Sequence, residues 1–211
     1  MFLTRVELNT SKRKTQIALA SPSLLHGAIE HSFQEKQERN IWRIDTLNNH
    51  MYLLLVSKNK PDMSQFISQF GFDGQSAETK DYSAFLNRIE NGTVWRFRLV
   101  GNPTHSIGSE NGRGKVVAHI TDKYQIEWLN NRLSSFGMSI VENSCIVKGT
   151  EWKMFYKNNA DCGRNTKVKI LQVAYEGMLK IEDSDAARTG LTEGIGRGKA
   201  YGCGLLTLMR C

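Results

Sequence analysis

The order of strand and helix signals predicts an α+β protein built of two tandem ferredoxin-like (RRM-like, βαββαβ) domains. Three observations carry this. Stretches with an apolar residue at every second position alternate with stretches whose apolar residues recur every three to four. In the first half they run strand, helix, strand, strand, helix, strand, the order of the split βαβ motif. The second half repeats that order in topology, without residues that align to the first. The boundary is expected between Gly101 and Gly112, with a first domain over 1–104 and a second over 105–211.

Phe2 to Leu8 alternates with period 2 and reads as the first strand. A basic patch, Lys12-Arg13-Lys14, follows. Ser21-Pro22-Ser23 is a helix start, because Ser caps and Pro suits the first turn. Leu25, Ile29 and Phe33 then mark one helical face. Ile41 to Ile44 and Met51 to Val56 read as two strands around an Asn48-Asn49 turn. Met63 to Phe70 is a short amphipathic helix, Gly71 to Lys80 a polar loop, and Val94 to Val100 the strand that closes the first unit.

In the second unit Lys115 to Ile120 is the opening strand. A helix runs from Asp122 through Ile126, Leu129 and Leu133 until Gly137 ends it. Ser144 to Tyr156 and Lys167 to Ile181 form a long hairpin over a polar tip, residues 158–165. A helix from Ser184 to Leu191, a glycine-rich turn and a strand from Gly204 to Met209 complete the chain.

Composition narrows the class. The 211 residues are 40% hydrophobic, enough for a core, and no apolar run reaches the length of a membrane span. Charges inside the apolar pattern of Met1 to Leu8 argue against a signal peptide. Cys145, Cys162, Cys203 and Cys211 form no C-x-x-C pair and have no His at ligand spacing, which argues against structural zinc. Reduced cysteines without a signal segment fit a cytoplasmic protein. The 28 Lys and Arg against 21 Asp and Glu leave a net charge of +7. That excess sits in three stretches, 5–14, 153–169 and 194–211, and the rest of the chain is mildly acidic. A polyanion is one partner such a distribution fits.

Three constellations hold possible chemistry. Gly194, Gly196, Gly198, Gly202 and Gly204 share a short segment with Arg197 and Lys199. Exposed N–H groups beside two cations suit a phosphate chain, and a tight turn packing helix on strand explains the same glycines. The segment is no Walker loop, since the G-x-x-x-x-G-K-[S/T] pattern fails. The hairpin carries Lys153, Lys157, Arg164, Lys167 and Lys169 against Asp161. It is either an arm that tracks a nucleic-acid backbone or a solvated loop. His26 lies one turn into the first helix, where positive potential favours a phosphate. A ring that titrates near neutrality suits proton transfer, and a surface or structural histidine is the plainer alternative.

Taken together, these residues resemble the CasE family of CRISPR-associated endoribonucleases nearly end to end. The resemblance runs through Met1-Phe2-Leu3-Thr4-Arg5-Val6, Ser21 to His26, Arg39-Asn40-Ile41-Trp42-Arg43 and Phe97-Arg98-Leu99 with Gly101-Asn102-Pro103. It continues through Trp128-Leu129, Arg132-Leu133 and Tyr175-Glu176-Gly177, and is most specific from Gly194 to Leu206. It implies two ferredoxin-like domains and cleavage of CRISPR repeat RNA at the base of a hairpin, with no metal or other cofactor. The ribose 2′-OH attacks the adjacent phosphate, leaving a cyclic phosphate and a 5′-OH. His26 falls on the family's catalytic histidine, as general base or general acid. The hairpin falls where the family grips the RNA stem.

Partners implied are the pre-crRNA and mature crRNA hairpin and other Cascade subunits, with no membrane and a monomer outside the complex. Lys14, Arg113, Lys115 and Lys199 are candidate helpers, and Arg39 a candidate RNA contact. Trp42 reads as core, while Arg39 and Arg43 either brace domains or meet phosphate. Ser23 and Gly27 depart from members with Tyr and Arg at those places. An RNA-binding Cascade assembly subunit with weak or lost catalysis is the alternative those departures leave open.

Overall fold

The first strand, β1 (Phe2–Leu8), turns Thr4, Val6 and Leu8 inward, as its alternation requires. The computed structural model describes residues 1–35, 40–108, 114–159 and 164–211, and only the backbone of residues 158, 159, 164 and 165. After β1 come two helices, α1 (Arg13–Ala20) and α2 (Pro22–Glu30). The hairpin β2 (Ile41–Leu47) and β3 (His50–Ser57) follows, then α3 (Ser64–Phe70) and β4 (Glu78–Asp81). The sheet order β2-β3-β1-β4, antiparallel throughout, is the ferredoxin-like arrangement. Asn48 and Asn49 take the left-handed conformation, with φ of 49° and 65°, that a tight hairpin turn needs.

A short helix, α4 (Ser83–Leu86), leads to β5 (Val94–Gly101). A separate hairpin of β6 (Thr104–Ile107) and β7 (Lys115–Ala118) precedes α5 (Asp122–Ser134) and β8 (Met138–Ile140). Two long strands, β9 (Ile146–Asn159) and β10 (Arg164–Ile181), α6 (Ser184–Glu193), a 3-10 turn (Lys199–Tyr201) and β11 (Leu206–Arg210) complete the chain. The second sheet has the order β11-β5-β10-β8, with β9 paired to β10, so it repeats the first order.

Four elements differ from the sequence expectation. Val94–Val100 does not close the first sheet; it lies in the second, between β10 and β11. The closing strand is β4, in the stretch expected to be a loop. Among the described residues it pairs only with β1, and it is polar, ETKD, because an edge strand need not present an apolar row. A cut at 104/105 would therefore part β5 from its own sheet; the change of sheet falls between Asp81 and Val94. Lys115 to Ala118 pairs with β6 alone, outside both larger sheets. The basic patch at 12–14 leads directly into α1, a helix the sequence pattern does not announce.

Each half has its own core. Leu25 and Ile29 of α2 pack with Val6, Leu8, Trp42, Leu55, Phe66 and Phe70. Trp95, Phe97 and Leu99 of β5 pack with Leu129, Leu133, Tyr175, Leu179 and Leu191. Each such side chain contributes about 1.5–3 kcal/mol on full burial. On β2, Trp42 faces the first core while its neighbour Ile41 joins the second, so the first sheet is covered on both faces there. Arg43, on the Ile41 side, is 1% exposed. It donates to both Asp45 carboxylate oxygens (2.8 and 2.6 Å), to the carbonyls of Arg98 (2.9 Å) and Leu205 (2.7 Å), and to Thr207 Oγ1 (2.8 Å). Of the two roles left open for it, Arg43 takes the brace between halves.

Candidate active site and nucleic-acid interface

His26 stands on α2, which begins at Pro22 after the bend at Ser21. Leu25 and Ile29 anchor that helix on the first core, which leaves His26 half-buried at its rim. Its Nδ1 is buried without a hydrogen-bond partner among the described residues, and Glu30 Oε1 lies 3.8 Å away. Burial pushes the pKa of His26 below its usual value of 6.5; Glu30 pulls it upward, and the positive charge of Lys157 pushes it further down. The field of Lys157 thus reaches His26 across the fold, from the hairpin to the first domain. Ser23, one turn earlier, contacts Ser21 hydroxyl to hydroxyl at 3.2 Å.

The glycine-rich segment lies between the halves. Gly194, Gly196, Gly198, Gly202 and Gly204 all have φ between 76° and 94°, the left-handed region. A Cβ at Gly194 would come within 2.9 Å of Ile41, at Gly196 within 2.8 Å of Trp128, and at Gly202 within 3.0 Å of Trp42. At Gly198 it would meet Ile170 at 3.2 Å. The packing reading of these glycines accounts for the geometry: Ile195, Cys203 and Leu205 between them are fully buried. Of the two cations, Arg197 is exposed and Lys199 half-buried on the 3-10 turn, which packs against α2.

The hairpin is one arm with two faces. From Val173 to Lys180 strand β10 pairs with β5 inside the sheet, and from Arg164 to Gln172 it runs out with β9, with a register shift to β9 at Ala174/Tyr175. On one face Phe155 and Ile170 are buried against Cys203 and Tyr201 of the glycine-rich segment, and Lys153 and Lys157 share that side of β9. On the other face stand Trp152, Met154 and Tyr156, all exposed, with Lys167 and Lys169 opposite. Lys169 lies over the Trp152 ring, 4.2 Å from its centre. The four described lysines of the arm are therefore not one surface. Lys153 is also paired with Glu151 at 2.6 Å and lines a cavity of about 250 Å³ between Pro22, Trp42, Arg43 and Tyr201.

Of the remaining candidates, Lys14 is exposed on α1 beside a surface groove that Ser23, Gly27 and His31 also line. Lys115 is exposed on the separate β6–β7 hairpin. Arg39, Arg113 and the Arg164 side chain lie outside the described residues. Glu30 is a neighbour of His26 that no motif announces, although its spacing of four from His26 is the signal that places both on one helical face. No group of three or more His, Cys, Asp or Glu able to hold a metal occurs among the described residues. Nor is any helix among them long and apolar enough to cross a membrane.

Comparison with known proteins identifies the family. The model of the family described as "CRISPR associated protein" matches residues 1–210. The CRISPR-associated endoribonuclease Cse3 of Thermus thermophilus is 28% identical over 220 residues, 99% of each chain. The CRISPR system Cascade subunit CasE of Escherichia coli K12 is 30% identical over 129 residues, 57% of this chain and 60% of that protein. Among solved structures, Cse3 bound to a 19-nucleotide RNA superposes with a TM-score of 0.78 at 23% identity, covering 99% of this chain and 98% of that one. Cas6e of Escherichia coli K-12 does so with a TM-score of 0.62 at 23% identity, over the whole of both chains. A duplicated ferredoxin-like fold and a family match across essentially the whole sequence converge: the chain belongs to the CRISPR-associated protein family.

Proposed function

We propose that this protein cuts CRISPR repeat RNA at the base of its hairpin, by attack of a ribose 2′-OH on the neighbouring phosphate. The observation that carries this is the placement of His26, a half-buried imidazole under the field of Lys157 from a basic hairpin arm. His26 takes the proton from the 2′-OH or gives one to the departing 5′-oxygen. Burial favours the neutral ring, which is ready to accept a proton at neutral pH. The reaction needs no metal, because positioning and nearby cations stabilise the phosphorane-like charge. The charge of Lys157 acts on His26, Lys153 lines the cavity beside Pro22, Leu25 and Tyr201, and the exposed Arg197 adds charge on the glycine-rich segment; Lys167 and Lys169 carry positive charge on the other face of the arm. Lys14 adds charge on the helical side.

The cut RNA stays bound, and the protein serves with it as a cytoplasmic Cascade subunit, monomeric until it joins the complex. Similarity to the endoribonuclease Cse3 and to the Cascade subunit CasE supports both halves of this reading. The deciding experiment incubates the protein in EDTA with an end-labelled transcript of its own organism's CRISPR repeat. Cleavage to a cyclic-phosphate end is expected. Tight retention of uncut hairpin would instead favour an RNA-binding assembly subunit, a reading that rests on Ser23 standing where some relatives carry Tyr.

A further inference from the structure

The inward side of His26 holds an arrangement that the cleavage reading leaves unused. About a third of the side chain is exposed, but Nδ1 is not part of that exposure: it is buried and hydrogen-bonded to nothing among the described residues. Its neighbour there is Glu30 Oε1, 3.8 Å away and one turn along the same helix. Glu30 is in turn held from a different element. Asn40 Nδ2 donates to the same Oε1 at 3.1 Å, and Asn40 is 7% exposed, immediately before β2. The line from Asn40 through Glu30 to His26 therefore ties the ring to the sheet as well as to its own helix.

A carboxylate beside one ring nitrogen has two effects on an imidazole. It keeps the proton of the neutral ring on that nitrogen, leaving the lone pair on the other, and it stabilises the imidazolium formed when the ring takes a second proton. Resting on the reading of His26 above, we infer that Glu30 is a positioning residue for cleavage: held by Asn40, it keeps Nδ1–H inward and presents Nε2 of His26 to the scissile phosphodiester. Glu30 forms no bond to RNA. The transferred proton moves between Nε2 and a ribose oxygen, while the Nδ1 proton stays in place and its attraction to Glu30 strengthens as the ring becomes charged.

Among the described residues on α2 and the elements around it, Glu30 and Lys157 are the charges whose field acts on the ring, in opposite senses. Removing Glu30 leaves burial and Lys157 unopposed. The limb of the pH–rate profile that reports His26 then moves to lower pH, whether the ring serves as base or as acid, since both limbs report the same protonation.

The test is single-turnover cleavage of the repeat transcript across pH by the wild type, Glu30→Gln, Glu30→Asp, Glu30→Ala and His26→Ala. Glu30→Ala is expected to lose roughly 10- to 100-fold in rate at saturating RNA, by analogy with the loss of a group that orients a metal-bound histidine, with RNA affinity unchanged. Glu30→Gln keeps an oxygen for Asn40 but lacks the charge, so it should shift the His26 limb downward; Glu30→Asp should recover part of the rate. Glu30 variants that cut like the wild type with an unmoved limb, while His26→Ala is inactive, would overturn the positioning role alone. A fully active His26→Ala would overturn the underlying reading instead. Nitrogen-15 NMR of the wild-type His26 ring provides a check independent of any variant: the Nδ1–H tautomer is expected, and the Nε2–H tautomer would refute the inference.

Discussion

The guanidinium of Arg43 donates to the carbonyl of Leu205 at 2.7 Å, joining a strand of the first sheet to the end of the glycine-rich segment 162 residues later. The same nitrogen reaches the Arg98 carbonyl, and the other nitrogens engage Asp45 and Thr207. One buried side chain thereby ties the two halves together, beside the apolar contacts of Ile41 with the second core.

Arg43→Met is expected to cost about 3–5 kcal/mol, the usual penalty for breaking a buried pair. The value should fall toward the lower end because Arg98 Nε remains 3.1 Å from Asp45. The check is the urea midpoint of variant and wild type. A loss below 1 kcal/mol would mean that apolar contacts, rather than this brace, hold the halves together.

Two glycine substitutions should move stability in opposite directions. Gly27 lies inside α2, and a Cβ there would have nothing within 4 Å. Gly27→Ala should stabilise by about 0.5–1 kcal/mol through helix propensity and chain entropy. Gly202 has φ of 81° and Trp42 3.0 Å from the added atom, so Gly202→Ala should destabilise by about 1–3 kcal/mol. Thermal melts of the two variants test the pair.

His26→Ala should lose roughly 10²–10⁴-fold in cleavage rate, the range for general acid–base catalysis, and still bind the hairpin. In the free wild type burial holds His26 below its usual 6.5, so its limb in the pH profile of kcat/KM lies on that side. Lys157→Ala removes a repulsion and should move that limb up, opposite in sign to the Glu30 variants. The sign carries over to stability. A histidine whose folded pKa is lowered binds its proton more readily when unfolded, so it costs stability as pH falls through and below 6.5. His26→Ala should flatten that acid loss in denaturation curves taken at successive pH values.

Neutralising charge on the arm should separate its two faces. Each phosphate contact releases counterions and steepens the salt dependence of binding. Lys157→Ala is expected to flatten the slope for hairpin RNA and also to alter cleavage, because its charge acts on His26. Lys167→Ala with Lys169→Ala should flatten the slope while leaving the rate at saturating RNA unchanged. Filter binding across a salt series, beside single-turnover rates, distinguishes the two. Equal effects on rate from both faces would show that the arm acts as one surface.

Much of this was legible in the residues. The alternation of β1, the Ser21-Pro22 helix start, the Asn48-Asn49 turn, the long β9–β10 hairpin and the doubled ferredoxin-like order follow from local rules of periodicity, capping and turn chemistry. His26 stood out because a titratable ring one turn into a helix is a local pattern. Edge strand β4 was hidden because it satisfies only one neighbour and needs no apolar row, so β5 was assigned to the wrong sheet.

The site itself was decided by tertiary structure. The division of the arm's lysines between two faces, the field of Lys157 on His26 and the hold of Asn40 on Glu30 depend on strand register and on how two cores dock. The glycine-rich segment shows the difference most directly. Its sequence announced close approach of the backbone, and only the packed structure showed that the approach is to Ile41, Trp42 and Trp128. A sequence carries the conformational freedom of a glycine; what fills the space it leaves is set by residues far away in the chain.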